Sequence, residues 1–410
     1  MSPSATITLT TRISIIGTAI SGALRAAAVF ALCTATWAAP YVPDDDAAVL
    51  EHLPVKPGDP IARDLRKLRA QLVGDPHNVD AALALARRYF ELAGAEGDPR
   101  YVGYAEAALK PWWSGEDSPI EARVMRAILK QYSHDFSGAL KDLDAAVNDD
   151  PKNALAWSWR AAIHMVQADY SAARADCEAL RGIESELGVI GCMAYVDSTT
   201  GRAAGARRAL SDVLSRSTRL SADEKVWALT RLAEMSLRLG DARRAEVHFR
   251  AALALGVRDQ FLLAAWSDFL LDQNRPAEVA ALLKDWVRSD ILLLRLALAE
   301  KALGASAADE HINALKARFD AAALRGDKLH QQEEARFNLY LLGQKDKALA
   351  LALENWKLQR EPRDARIVLE AALAVKDPAA ARPALEWLAR SGHEDPLLRQ
   401  IADKLRAPGP

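Results

Sequence analysis

The chain has 410 residues, 50% of them hydrophobic and 26% charged, with a formal net charge of −2. This composition excludes disordered and fibrous classes and leaves material for a large core. The near-neutral balance gives no sign of a nucleic-acid partner.

At the N-terminus, Arg12 and Arg25 stand in an acid-free stretch, followed by an apolar run from Ala26 to Ala35 and the small-x-small ending Thr36-Trp37-Ala38. This reads as a secretory signal peptide, residues 1–38, cut after Ala38. A cut after Ala39 would put bulky Trp37 at −3 and Pro40 at +1. The competing reading is a retained anchor from Ile13 to Ala39, which would place Arg25 near the bilayer centre at a cost of about 2.5–3.5 kcal/mol. Cys33 follows Leu32, not the small residue of a lipoprotein signal. The expectation is therefore a periplasmic protein.

Residues 39–58 form a separate segment. Asp44-Asp45-Asp46 precede Ala47-Ala48-Val49-Leu50, so a short helix with acids at its N-terminus is favoured. The alternative is an extended arm docked on a partner or on the chain's own superhelix.

From 59 to 406 the pattern is helical throughout. Ser118-Pro119-Ile120-Glu121 and Ser221-Ala222-Asp223-Glu224 read as capping boxes, and Asp98-Pro99 and Asp377-Pro378 as weaker starts. Leu229, Leu232, Ala233, Ser236 and Leu237 keep a helical period on one face. Pro111-Trp112-Trp113 either plugs an irregular turn or exposes an interface aromatic. Once Cys33 is removed, Cys177 and Cys192 remain, compatible with a disulfide in an oxidising compartment or with two buried thiols.

The chain repeats itself at an offset of about 34 residues. His134-Asp135-Phe136-Ser137-Gly138-Ala139 aligns with Ala168-Asp169-Tyr170-Ser171-Ala172-Ala173, and Ala127 with Ala161. Further units carry Ala194, Gly201, Ala206 and Leu210, then Ala233, Gly240, Ala245, Phe249 and Ala252, then Ser267, Asn274, Val279 and Leu283. Later come Gly343 with Ala348, and Ala371 with Trp387. These spacings resemble the tetratricopeptide repeat family, in which small residues let paired helices approach and bulky ones fill the adjacent holes. The implied fold is an all-α, right-handed α-solenoid of about eight or nine helix pairs over 59–406, clearest over 120–284, with a short 407–410 tail. The first pair (Val79 to Lys110) and the seventh (Ile291 to Arg325) are expected to carry irregular turns.

The resemblance also implies a partner site along the concave face of the first helices. Carried over repeat by repeat, it comprises Arg87, Val124, Ile128, Gln131, Tyr132, Ser158, Met165, Tyr195, Ser198, Trp227, Thr230, Glu234, Arg238, Asp268 and Asp272. Such a mixed lining suits an extended peptide or a protein surface. Some members of the family hold a partner's C-terminal carboxylate with Lys and Asn at groove positions, but Leu83, Val124, Ser158, Gly191, Thr230 and Ala264 stand at one such position here, so a chaperone-type carboxylate clamp is not expected.

No phosphate loop, nucleophile elbow, zinc motif or other catalytic spacing occurs, so no catalytic residues, cofactor or metal are expected. The eight histidines are scattered. His134 beside Asp135 is expected in a solvated turn, His164 and His248 in packing or at the surface, and Glu333-Glu334 on a solvated helix face. The leading functional expectation is a non-catalytic periplasmic scaffold or adaptor for a protein or peptide, with peripheral membrane association through that partner. An assembly factor for surface polysaccharide or outer-membrane export, with sugar at Tyr132 or Tyr195, is the alternative. An enzyme or metal handler built from scattered residues is the third reading.

Overall fold

The computed structural model describes residues 59–407 apart from 116, 117 and 328, together with residue 45. The expected signal peptide, the 39–58 segment apart from Asp45, and residues 408–410 lie outside the described residues. All described residues except Asp45 belong to one compact unit, Val55–Pro410.

That unit is all-helical. α1 (Pro60–Gly74) precedes nine helix pairs: α2 (Val79–Glu96) with α3 (Arg100–Ala108), α4 (Ile120–Tyr132) with α5 (Phe136–Asp149), and α6 (Ala154–Val166) with α7 (Tyr170–Ala179). Next come α8 (Glu186–Thr199) with α9 (Ala203–Arg216), α10 (Ala222–Arg238) with α11 (Ala242–Leu253), and α12 (Gln260–Asp272) with α13 (Pro276–Leu283). The series ends with α14 (Asp290–Leu303) and α15 (Ala308–Leu324), α16 (Gln331–Phe337) and α17 (Lys345–Leu358), then α18 (Pro362–Val375) and α19 (Arg382–Ser391), followed by α20 (Pro396–Arg406). A π-helical turn, Asn338–Leu342, extends α16. Each even-numbered helix from α2 to α18 touches its odd-numbered mate and also the next even-numbered helix. The even helices thus form an inner row and the odd helices an outer one, the arrangement of a tetratricopeptide-like solenoid.

The repeat frame has a local cause. At five successive junctions within pairs, a residue with positive φ stands between the helices: His134, Ala168, Gly201, Gly240 and Asn274. The next residue's N–H then bonds the carbonyl five positions back, as from Asp135 to Lys130 at 2.9 Å and from Asp241 to Ser236 at 2.9 Å. This closes the first helix in a Schellman turn, for which glycine and asparagine are the least strained choices. Asp135, Asp169 and Asp241 then cap the second helix by accepting from Gly138, Ala172 and Arg244 N–H. Ala127, Ala161, Ala194, Ala233 and Ser267, the small residues of the frame, are all at most 3% exposed.

Two expected helix starts differ. Ser221 forms its capping box with Glu224, whereas Ser118 forms none. Its hydroxyl donates instead to the Trp112 and Gly115 carbonyls, and α4 begins after Pro119. Asp377 holds a turn through Ala379 and Ala380 N–H, and the helix beyond starts only at Arg382. Trp112 and Trp113 pack on the core in a half-buried turn. Arg126 donates to both their carbonyls, and its other edge meets Asp142 at 2.5 and 2.8 Å. The sulfurs of Cys177 on α7 and Cys192 on α8 are bonded, joining the third and fourth pairs.

The C-terminal helices fold back onto the inner row. Arg360 N–H donates to the Val166 carbonyl at 2.8 Å, Trp387 Nε1 to the Tyr170 hydroxyl at 2.8 Å, and Ala203 N–H to Glu394 at 2.8 Å. Gly201, at φ 78°, comes so close to Gly392 that an added Cβ would stand 2.9 Å from its carbonyl oxygen. Elsewhere α2 reaches α12, and Gly97 lies against Gln260 and Ser289.

Candidate binding site

Because α18 and α20 face α8, α10 and α12 across a cavity, the expected continuous groove does not exist as one surface. Val124, Ile128 and Met165 are core residues, with 2, 5 and 5% exposure. Their apolar side chains belong to the contact between neighbouring helices, which outranks a groove position. Ser198 and Thr230 are buried polar residues whose hydroxyls are spent on backbone carbonyls, of Tyr195 and Val226 respectively. Arg87 is exposed and Ser158 half-buried, and neither lies with the rest. Gln131 and Tyr132 line a small cavity of about 150 Å³ closed by Gln359, Arg363 and Asp364.

Of the other expected residues, all but Trp227 are brought together. Tyr195, Glu234, Arg238, Asp268 and Asp272 line a cavity of about 450 Å³ between α8, α10 and α12 on one side and α18 and α20 on the other. Tyr195 donates its hydroxyl to Glu361 at 3.2 Å. The Arg231 guanidinium lies over both the Tyr195 ring, at 4.4 Å, and the Phe261 ring, at 4.7 Å, while pairing with Glu234 at 2.8 Å. Arg366 of α18 meets Asp272 of α12 at 2.7 and 2.8 Å. Asp268 sits between Arg295 and Arg336, at 2.6 and 3.0 Å. Burial alone would raise its carboxyl, but the two guanidinium groups hold it well below the usual range. Burial also lifts the Tyr195 phenol, so it stays a neutral donor to Glu361.

Trp227 stands one helical turn before Arg231. It is 38% exposed, and its ring lies so close to Gly191 of α8 that a Cβ there would be 2.5 Å from it. Phe261, 39% exposed, lines the cavity from the next inner helix. The Arg231 guanidinium lies over the Tyr195 ring, and Tyr132 makes an edge-to-face contact with Phe90 at 6.2 Å.

The fold-back also changes the expected histidines and acids. His134 is half-buried, stacked on Phe136 and 3.2 Å from the Gln359 amide. Burial pushes it down to about 4. Glu333 is 7% exposed instead of solvated, because the C-terminal helices crowd it. His164 and His248 are half-buried. Asp364 is lifted to about 7, first by burial, against the pull of Arg363, and then by Glu361. Its Oδ2 accepts from Glu361 N–H at 2.9 Å.

Arg231 was within reach of sequence reasoning, since Trp227, Arg231, Glu234 and Arg238 follow one stripe of α10. Glu361, Arg363, Arg366 and Asp395 were not, because nothing local marks a helix that packs across the solenoid. Among the described residues no cluster of His, Cys, Asp or Glu has the form of a metal site, and no helix is long and apolar enough to cross a membrane.

No family model and no curated protein matches this chain. Among solved structures, a tetratricopeptide repeat protein from Parabacteroides merdae ATCC 43184 is similar at 15% identity and TM-score 0.44, over 58% of this chain and 92% of that one. A Rap protein complexed with competence and sporulation factor is similar at 15% identity and TM-score 0.44, over 78% and 99%. The APC/C hetero-tetramer Cut9-Hcn1 is similar at 13% and 0.44, over 85% and 60%.

Proposed function

We propose that this protein is an exported, non-catalytic scaffold that holds a protein or peptide partner at the rim of the inner-face cavity, in the periplasm. The observation that carries the reading is the Trp227–Arg231–Phe261 group. Two large aromatics remain partly exposed beside one guanidinium on the neighbouring inner helices α10 and α12. Tryptophan and arginine are enriched among residues that dominate partner binding, and a rigid aromatic seated on Gly191 loses little entropy when a partner covers it. The Cys177–Cys192 bond suits an oxidising compartment, which supports export. The partner contacts this rim, because Val124, Ile128 and Met165 of the expected groove are core residues and Tyr195, Arg238, Asp268 and Asp272 face α18 and α20.

Site-specific photocrosslinking in cells tests this, with the probe at Trp227, at Phe261 and at Val247, which is exposed on the outer helix α11. One protein captured from the periplasmic fraction at the first two positions and not at the third supports the reading. Equal capture at all three, or none, counts against it.

A further inference from the structure

The charges around the 450 Å³ cavity are matched with one exception on the cationic side. Arg231 holds Glu234, Arg295 holds Asp268, Arg363 holds Glu361 and Arg366 holds Asp272. Arg238 holds no carboxylate. It is 8% exposed, and its hydrogen bonds among the described residues run from Nη1 to the neutral hydroxyls of Ser198 and Thr199. The Tyr195 ring lies 5.9 Å from its guanidinium carbon. A buried cation is ordinarily paired, since desolvation without a partner costs several kcal/mol (roughly, per ion). Nε and Nη2 have no hydrogen-bond partner among the described residues, and Arg238 lines the cavity.

The cavity also holds one acid without a cation within salt-bridge distance, Asp395, whose Oδ1 accepts from Leu397 and Leu398 N–H to start α20. Burial raises its carboxyl, against the pull of the Leu398 and Leu397 N–H groups and of the Arg238 and Arg366 charges. The walls between these polar groups are apolar, built by Leu237, Phe261, Pro396 and Leu397. A volume of about 450 Å³ falls in the range that accepts a small organic molecule.

We propose that this cavity is a binding site for a small organic monoanion, a carboxylate on an apolar body. The carboxylate takes the open edge of Arg238, and the body lies against Phe261 and Leu397. Planar bidentate recognition is what a guanidinium with two open donors offers. The ligand would touch α10 and α12 of the middle repeats and α20 of the C-terminal helices together, so its binding energy adds to their closure. The cavity shares Phe261 and Arg231 with the partner rim, but the inference concerns a small molecule held by Arg238, whereas the rim concerns a macromolecule at exposed Trp227.

The test is calorimetric titration of the full chain with phenylacetate and with its uncharged counterpart, phenylacetamide. Saturable binding of phenylacetate at least about tenfold tighter than of the amide is expected. Arg238→Gln is expected to abolish that preference, with Arg390→Gln, on exposed α19 surface, leaving it intact. The comparison of acid and amide on the unmodified chain needs no variant to fold. Equal affinity for both compounds, no saturation by about 10 mM phenylacetate, or a preference that survives Arg238→Gln in a variant with an unchanged far-ultraviolet spectrum would overturn the proposal.

Discussion

The middle repeats, α4 to α13, and the C-terminal helices, α16 to α20, are built from the same helix pairs but held by different means. In the middle, each junction within a pair is closed by its own backbone turn, with an aspartate cap at Asp135, Asp169 and Asp241, and the small residues of one pair seat the next. At the C-terminus the pairs also depend on partners more than a hundred residues away, such as Val166 for Arg360 and Tyr170 for Trp387. A solenoid held only by neighbours tolerates local damage, with stability close to a sum over repeats and their interfaces. One that folds back on itself gains a second, non-local set of contacts that can be lost separately.

The largest effect is expected in the middle region. Asp142→Ala would leave Arg126 buried without its carboxylate, at a cost of about 3–5 kcal/mol, read as a fall in the denaturation midpoint. The wild-type interaction is not worth that whole amount, because pairing already offsets the desolvation of both groups. Reducing Cys177–Cys192 should cost about 3 kcal/mol, since the bond closes a short loop, and should show as increased amide exchange first in α7 and α8. If α18 to α20 exchanged faster first, the two regions would be more tightly coupled than their contacts indicate.

The next effects address the closure. Gly201→Val combines a β-branched side chain at positive φ with a contact to Gly392 O, a penalty of about 1–3 kcal/mol. Exchange should accelerate in α18 to α20, with α4 and α5 unchanged; a uniform loss would mean the two regions unfold as one.

Acid provides a second probe of the same seam. His393 is 3% exposed and 3.3 Å from the Thr199 carbonyl, and burial, then the Arg238 charge, push it down to about 3. In the unfolded chain a histidine titrates near its ordinary value of about 6.5. The unfolded state therefore binds more protons below that value, and stability falls as pH drops from about 6.5 toward 3, by at most about 1.4 kcal/mol per pH unit from this group. Asp364 acts in the opposite sense: its carboxyl is raised to about 7, so it favours the folded state as pH falls from there toward its ordinary range. His393→Asn retains a donor for Thr199 and should flatten the acid dependence relative to wild type, measured by denaturation at pH 7 and pH 5. An unchanged slope would place the acid sensitivity elsewhere.

The smallest effect is expected from Asp272→Asn. Its pair with Arg366 is 35 and 28% exposed, and Arg366 keeps Glu370, so less than about 1 kcal/mol should be lost.

Much of the helix-pair order was legible in the residues themselves. Gly201, Gly240 and Asn274 announce left-handed turns, Asp135, Asp169 and Asp241 announce caps, and Ala127, Ala161 and Ala233 announce close contacts, each through chemistry confined to one or two turns of chain. The same reasoning misplaced Ser118, whose hydroxyl is claimed by the Trp112 turn, and misread Val124 and Ile128, whose apolar character belonged to the core.

What only the tertiary structure decided is the fate of the inner face. A repeat pattern specifies how each pair sits on the next, but small rotations accumulate along ten inner helices, and whether they bring α18 onto α8 is a property of the whole path. Tyr195 with Glu361, Asp272 with Arg366 and Gly201 with Gly392 are pairs whose members have no local signature of one another. The sequence determined the helices, their turns and their order because those rest on short-range hydrogen bonds and packing. The cavity, with Arg238 outside any salt bridge among the described residues, arises from contacts across the solenoid, which no local pattern encodes.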